Sequence, residues 1–513
     1  MDRRINYSMF FWILILAGLF VRIIMIFPPE TFDGDGAVCG LMAKHIFEGK
    51  DFPIYFWRAH YAGTLSSYIG ALLFNIFGVS YLIYRYVGVF LSFCWVLFTF
   101  ILSKDILNKY GSIASLIFVL FPPFIVLHYS LHPGGIYPET LSFGTLLLLL
   151  LVKWSKVGLQ EDSIFYPLLG FFSGLGLWLT PGMVPFILTI FTVFFIKDKK
   201  IFFSLRFVYF ILAFFIGFLP SIIYNIQHPM ATFFRMAGRI LNVDRRILFS
   251  PHPVSALGER MFQWVLGIPA SFARIPLMFS SLTGPISTLV FFTALFLLCQ
   301  KKFFYFLKNK NADPVNILVI YTVWFILFYS VLVGEKAIRY VVPLYVVFPI
   351  FVSKLLMEIE KKSRFLSFLV LILLVSYNSY NIAYSFKNRP VHHYPQLAQW
   401  LLTNNFLYGY SDYWIAYPVI FESKERILIS PTIFNKDFSD RNPEYTKKVR
   451  AQDKTVYIFD STRHREKITS FEEQLRNLNV RYKKNKFKEF IIFSNFSRKI
   501  YPEEFKYSFL ENR

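Results

Sequence analysis

Long apolar runs recur along the first three-quarters of the chain and predict membrane-crossing helices. A helix needs about 20 mostly apolar residues to cross a bilayer, and runs approaching that length predict about eleven crossings. They lie near residues 9–27, 83–103, 112–131, 139–153, 164–180, 182–196, 206–224, 284–300, 315–333, 341–356 and 365–384. The run SYIGALLFNIFG at 67–78 is short for a crossing, so we predict a juxtamembrane helix there, inside a long first external loop over 28–82.

Positive charge predicts the orientation of these helices. Short cytoplasmic loops of membrane proteins carry an excess of Lys and Arg. A cytoplasmic N-terminus places all the basic clusters of the loops inside: those at 104–109, 153–156, 197–200, 301–310 and 361–364. Counting 67–78 as a further crossing would place the same clusters outside. The external face then receives 28–82, 132–139, 225–283, 334–340 and the tail from 387 onward.

The tail has a different pattern, in which short apolar strands alternate with amphipathic helices. Helices are predicted near 394–403, 412–423 and 466–478, and strands at 406–410, 426–430, 455–459 and 488–494. The predicted fold class is therefore a polytopic α-helical membrane protein with a small C-terminal α/β domain outside the cytoplasm. The membrane domain covers 1–386, including the loop 28–82, and the α/β domain covers 387–513.

Composition agrees with a multi-pass protein of the cell membrane. Hydrophobic residues make up 55% of the 513 residues and charged residues 17%. The net charge of +22 raises nucleic acid as a partner, but the basic residues lie in short loops between apolar runs, so we expect none. Cys39, Cys94 and Cys299 are too scattered for a disulfide framework or a metal cluster, and we expect neither a metal nor another cofactor.

The stretch FDGDGAVCGLMAKHIFEGKDFPIYFWRAH, residues 32–60, places Asp33 and Asp35 in a Gly-rich turn directly after the first span. A carboxylate pair at the mouth of a membrane span is costly to desolvate and adds nothing to core packing. The pair therefore predicts an active site. The alternative is that both acids only make turn hydrogen bonds.

Several short motifs resemble those of the GT-C fold glycosyltransferases. They are the loop Asp followed by G-L-M-A-x-x-I-x-x-G, an apolar helix closing in F-G, and R-Y-x-x-P-L-Y at 339–345, before the soluble tail. The chain is most similar to the branch that contains the protein O-mannosyltransferases and the lipid A aminoarabinose transferases. It departs from that branch at Gly36, where the family has Glu, and at 62–65, where Ala-Gly-Thr-Leu replaces Lys-Pro-Pro-Leu.

The resemblance implies sugar transfer from a polyprenyl-phosphate donor to a lipid, glycan or protein acceptor outside the cytoplasm. In the family, an acid of the first external loop is the catalytic carboxylate, eight residues before an Ala. Counting back from Ala43 identifies Asp35 as this carboxylate, which we expect to act as general base, and Asp33 stays open as the other candidate.

Basic and acidic residues of the external loops are candidates for binding the substrate. Lys336 and Arg339 suit a lipid phosphate, with interfacial snorkelling as the alternative. Arg58 and His60 suit substrate orientation, although the aromatic residues around them also fit an interfacial belt. Glu139 suits the donor sugar or, alternatively, the dipole of its own helix. Basic residues of the large external loop fit anionic membrane lipids as well as the donor: Arg235, Arg239, Arg245 and Arg246.

A lipid-linked saccharide flippase or a polysaccharide polymerase is the alternative function, since such proteins are also polytopic and basic. Transporters place ionisable groups near the middle of the bilayer and often contain repeats. Here nearly all the charge lies in the loops, which favours an enzyme. A receptor with an external sensor domain would leave the acidic loop unexplained.

Overall fold

The computed structural model describes residues 7–27, 33–157, 163–234, 314–332, 338–433 and 440–505. The chain forms two compact units. The first contains Met1–Ile26, His60–Leu65 and Arg85–Asn388, and the second contains Phe27–Ala59, Ser66–Tyr84 and Arg389–Arg513. Most of the segment 28–82, predicted to be the first external loop, is thus grouped with the C-terminal residues. The predicted domain boundary at residue 387 remains a prediction.

Helices form at the positions of the apolar runs that lie within the described residues, and one further helix, Gly34–Phe47, forms in the segment 28–82. In chain order they are α1 (Tyr7–Met25), α2 (Gly34–Phe47), α3 (Leu65–Phe77), α4 (Tyr81–Ile106), α5 (Lys109–Leu120), α6 (Phe124–Ser130), α7 (Tyr137–Lys156), α8 (Phe165–Leu179), α9 (Val184–Lys197), α10 (Leu205–Gly217), α11 (Leu219–Gln227), α12 (Pro314–Leu332), α13 (Phe348–Lys362) and α14 (Arg364–Lys387). Short 3-10 helices cover Pro181–Met183, Lys199–Phe203 and Ile338–Val346.

Within the described ranges, α4 and α14 are long and apolar enough to cross a membrane. Three bent pairs raise this number to five if each pair is one span: α5 with α6 at 73°, α10 with α11 at 55°, and Arg339–Val346 with α13 at 53°. The predicted short helix at 67–78 is present as α3. The predicted span 284–300 lies outside the described residues, and the number of crossings stays a prediction.

The predicted spans 112–131, 206–224 and 341–356 are each broken rather than continuous. Proline is present at every break: Pro122 and Pro123 between α5 and α6, Pro220 at the start of α11, and Pro343 and Pro349 around the last bend. Proline lacks the N–H that continues a helix, and its ring clashes with the preceding turn. The bends therefore follow from local chemistry that apolarity alone does not reveal.

Arg22, in the first unit, stabilises the break between α5 and α6. Its side chain is fully buried and donates to the carbonyl oxygens of Val119 (2.8 Å) and Leu120 (3.1 Å) and to Ser92 Oγ (2.8 Å). In a continuous helix the Val119 carbonyl would accept from the N–H of residue 123, which is proline. The guanidinium supplies the missing donors, and a cation at a helix C-terminus is also favoured by the helix dipole.

The C-terminal residues of the second unit form a five-stranded sheet with helices. The strands are β1 (Tyr408–Tyr410), β2 (Leu428–Ser430), β3 (Val456–Asp460), β4 (Lys483–Phe487) and β5 (Phe490–Ser494), in the order β2-β1-β3-β5-β4. β1 pairs in parallel with β2 and β3, whereas β5 pairs antiparallel with β3 and β4. The helices are α15 (Tyr394–Thr403), α16 (Tyr413–Glu422), α17 (Pro443–Arg450) and α18 (Arg465–Asn477).

Seven elements of this domain lie where the sequence pattern predicts them, and two were missed. β4, with the sequence KKNKF, has exposed and half-buried positions only, which is typical of a charged edge strand and lacks a buried face to detect. α17 is short and rich in charged residues. β3 and β5 are buried along their whole length, as their continuous apolar sequence indicates.

Candidate active site

Asp33 and Asp35 lie at the start of α2, and not in a Gly-rich turn as predicted. Asp33 is the N-cap residue, with extended backbone, and its Oδ1 accepts a hydrogen bond from the Gly36 N–H at 2.6 Å. Aspartate is favoured at this position because it satisfies a backbone donor that lacks a helical partner. Asp35 belongs to the first turn of the helix. The two acids therefore differ in their structural role.

The glycines of this stretch allow close packing of α2 against α16. A Cβ atom at Gly34 would lie 2.4 Å from the Tyr413 ring, and one at Gly40 would lie 2.8 Å from the Phe421 ring. Both distances are too short for a carbon–carbon contact. These two glycines therefore allow the two helices to pack closely. This role explains why the segment is rich in glycine although it is helical.

The Asp35 carboxylate is bound by a tyrosine from the C-terminal sequence. The Tyr413 hydroxyl donates to Asp35 Oδ1 at 2.5 Å. Burial, and next the neighbouring Asp35 carboxylate, raise the pKa of Tyr413 well above its ordinary value, so the phenol keeps its proton and remains the donor. The guanidinium of Arg441 lies 5.8 Å from the centre of the Tyr413 ring and 5.0 Å from that of Phe56.

The other end of α2 is bound by an ion-pair cluster around Glu425. This carboxylate accepts from Lys44, contacts His45 Nε2 at 2.9 Å and accepts from the Tyr445 hydroxyl at 2.7 Å. Burial by itself raises the pKa of Glu425, but these hydrogen bonds outweigh it and hold the pKa well below its usual range. Lys44 also pairs with Glu48 at 2.8 Å.

The chain around Glu425 has an unusual backbone. Both Lys424 (φ 53°) and Glu425 (φ 65°) adopt the left-handed conformation directly after α16. This conformation costs energy for residues other than glycine and persists where the surroundings enforce it. The hydrogen bonds and ion pair of the Glu425 carboxylate supply that enforcement.

Arg58 and His60 have different hydrogen-bond partners. Arg58, in the second unit, donates from Nη1 to the Asp440 carbonyl oxygen at 3.0 Å. His60, in the first unit, contacts the Tyr224 hydroxyl through Nδ1 at 2.5 Å. Both have left-handed backbones, with φ of 59° and 61°. Their predicted role in orienting the substrate stays a prediction.

Glu139 and Arg339 both belong to the first unit. Glu139 is buried in the first turn of α7, where a carboxylate also suits the helix dipole. α7 packs against the 3-10 helix Ile338–Val346, whose second residue is Arg339. Arg339 is an exposed residue, and its guanidinium lies 5.2 Å from the centre of the Tyr340 ring. Lys336, Arg235, Arg239, Arg245 and Arg246 lie outside the described residues.

The sequence pattern did not identify Tyr413, Arg441 or Glu425. Tyr413 and Asp35 are 378 positions apart, and Tyr413 lies in an apolar helix that reads as ordinary core. Only Asp412, whose carboxylate caps α16 by accepting from the Ile415 N–H at 2.9 Å, was detectable as the start of a helix. In the part of the chain that the structure describes, no group of three or more His, Cys, Asp or Glu side chains is arranged to hold a metal.

Comparison with solved structures identifies the fold of the chain. No family model and no curated protein matches the sequence. The structure of ArnT from Cupriavidus metallidurans bound to undecaprenyl phosphate is similar over 96% of this chain and 99% of its own, with 8% identity and a TM-score of 0.63; its apo state matches with the same identity and TM-score. Archaeal oligosaccharyltransferase AglB from Archaeoglobus fulgidus, in complex with an inhibitory peptide and a dolichol-phosphate, matches over 95% of this chain and 74% of its own, with 11% identity and a TM-score of 0.54. The chain therefore has the GT-C fold, as the sequence motifs predicted.

Proposed function

We propose that this protein is an integral-membrane glycosyltransferase that moves a sugar from a polyprenyl-phosphate donor to an acceptor outside the cytoplasm. The observation that carries the proposal is the likeness over nearly the whole chain to GT-C proteins, one in a crystal structure bound to undecaprenyl phosphate and one in complex with an inhibitory peptide and a dolichol-phosphate. The acceptor is a hydroxyl of a lipid, a glycan or a protein. The acidic start of α2 supplies the chemistry for that class of reaction.

Asp35 is the general base in this mechanism. The acceptor oxygen attacks the anomeric carbon of the sugar while its proton moves to the Asp35 carboxylate. The bond between the anomeric carbon and the phosphate oxygen breaks, and the polyprenyl phosphate leaves with the bonding electrons. Asp35 is preferred to Asp33 because Asp33 Oδ1 caps α2, and because the family spacing from Ala43 selects Asp35.

The cations near residue 339 hold the leaving phosphate. Arg339, an exposed residue, and Lys336 stabilise the bound donor and the charge that grows on the leaving oxygen. Glu139, on the helix packed against the segment of Arg339, contacts the donor sugar, and Arg58 and His60 orient the substrates. Snorkelling of the two cations remains the competing explanation.

The test is transfer by the purified full chain in nanodiscs. We expect Asp35→Asn to abolish release of polyprenyl phosphate from the donor while leaving the thermal unfolding temperature unchanged. Asp33→Asn is the matched control, since asparagine is an equally good N-cap residue, and we expect it to keep most of the activity. The mass of the lipid-linked sugar that accumulates in a deletion strain identifies the donor, and extracts of that strain supply the acceptor.

Two outcomes contradict the proposal. Normal turnover by Asp35→Asn, with loss confined to Asp33→Asn, reassigns the base to Asp33. Translocation of the lipid-linked sugar across the membrane without any transfer by the wild-type protein replaces the enzyme by the flippase.

A further inference from the structure

We infer that Tyr413, on the first turn of α16, is a positioning residue for Asp35, so that the C-terminal α/β sequence takes part in the proton-transfer step. The inference rests on the proposed role of Asp35 as general base. It assigns a function to a residue 378 positions away from the acid that it binds.

Tyr413 is a donor that keeps its proton. Its hydroxyl donates to Asp35 Oδ1 at 2.5 Å. Burial is the main cause of its raised pKa, and the Asp35 charge adds to it, while Arg441 acts in the opposite direction. A phenol that stays protonated at all working pH values gives Asp35 the same hydrogen bond before and after each turnover.

The ring of Tyr413 is held from several sides, so the direction of its hydroxyl is defined. Gly34 leaves just enough room for the ring, because a Cβ atom there would lie 2.4 Å from it. The rings of Trp414 and Tyr417 pack edge-on against it, each with a centroid distance of 5.1 Å. The Tyr417 hydroxyl accepts from the backbone N–H groups of Arg441 (2.5 Å) and Asn442 (3.2 Å), which places Arg441 beside Tyr413.

Two consequences follow for the carboxylate. A fixed donor on Oδ1 sets the direction of the whole carboxylate, including the oxygen that receives the proton, and such preorganisation lowers the barrier to proton transfer. A hydrogen bond donated to a carboxylate also favours its ionised form, so loss of the Tyr413 hydroxyl should raise the pH below which the proposed base is protonated.

Docking of α2 does not depend on this hydrogen bond alone. Glu425 binds the other end of the helix through Lys44, His45 and Tyr445, and Gly40 packs against Phe421. Tyr445 therefore offers a matched control. Like Tyr413, it donates a tyrosine hydroxyl to a carboxylate next to α2, but its partner is Glu425.

The experiment compares Tyr413→Phe with Tyr445→Phe in the full chain in nanodiscs. For Tyr413→Phe we expect kcat at neutral pH to fall about ten- to a hundredfold, the effect of one hydrogen bond to a charged group. The KM for the donor should be unchanged. The acid limb of the pH profile of kcat/KM should move up by about one pH unit. Tyr445→Phe should lower thermal stability and leave the acid limb where it was.

A second variant separates the hydrogen bond of Tyr413 from any effect on folding. Site-specific 3-fluorotyrosine at position 413 keeps the ring and the hydroxyl but donates more strongly, so it should move the acid limb to lower pH. An acid limb unmoved by both changes, or moved equally by Tyr445→Phe, overturns the inference. Because Asp35→Asn is measured in the same assay, its inactivity beside a normal Tyr413→Phe overturns only the role of Tyr413. An active Asp35→Asn instead overturns the proposed base.

Discussion

A carboxylate that accepts a hydrogen bond from a tyrosine lies at each end of α2. The surroundings of these two carboxylates differ. Glu425, at the C-terminal end, is bound by Lys44 and His45 as well as Tyr445, and these hydrogen bonds hold its pKa well below the ordinary range. Asp35, at the N-terminal end, receives its tyrosine hydrogen bond from a neutral phenol. A carboxylate that accepts hydrogen bonds from cations is a poor base, which suits the binding of α2 by Glu425, whereas the tyrosine hydrogen bond on Asp35 orients the proposed base.

The largest effect in this comparison is expected from removing the negative charge of Glu425, which binds the C-terminal end of α2. We expect Glu425→Gln to destabilise the protein by about 3 kcal/mol, since it leaves Lys44 buried beside a neutral amide. The loss stays at the low end for a broken buried pair because Glu48 still binds Lys44. The thermal unfolding temperature in detergent should fall, while the acid limb of kcat/KM should not move. A shifted acid limb with unchanged stability would invert the roles of the two ends.

The pH dependence of unfolding tests the pKa shifts of two glutamates at the end of α16, Glu422 and Glu425. Burial raises the pKa of Glu422 from 4.5 to about 7, so its contribution to stability is full below pH 4.5 and is lost as the pH rises through 7. The lowered pKa of Glu425 has the opposite sign: its contribution is full above pH 4.5 and is lost as the pH falls further.

Thermal unfolding between about pH 3 and pH 8 checks both signs. Glu422→Gln should stabilise the protein at pH 8 by on the order of 2 kcal/mol, allowing for partial exposure, and should change little near pH 4. Glu425→Gln should show its cost at neutral pH, and the cost should shrink in acid. Parallel curves for the two variants would refute the assigned pKa shifts.

A last comparison separates the two glycines of α2. Gly34→Ala and Gly40→Ala each add one methyl group against an aromatic ring, which typically costs about 1–3 kcal/mol. Gly34→Ala displaces Tyr413, so we expect an additional loss of kcat that Gly40→Ala does not show. The measurement is kcat at saturating donor, compared at temperatures well below unfolding for both variants. Equal kcat values would show that Tyr413 tolerates displacement.

Features decided within a few residues could be predicted from the sequence. Apolar runs marked the helices of the first unit, because burial of a helix in lipid or in a core requires a local stretch of apolar side chains. In the α/β tail, β3 and β5 were recognisable from continuous apolar sequence. The acidic stretch also indicated Asp35 as a candidate, since two carboxylates next to an apolar helix have no packing role.

Only the tertiary structure decided which distant residues meet. The phenol on Asp35 and the cations on Glu425 come from segments more than 370 positions away from their partners, and such contacts depend on how α2 packs on α16. In the sequence Arg22 is a single basic residue in an apolar helix, yet it caps a helix that Pro122 and Pro123 interrupt. A sequence pattern reports the local cost of burying each side chain, whereas the partner that offsets the cost of a buried charge is selected by the fold as a whole.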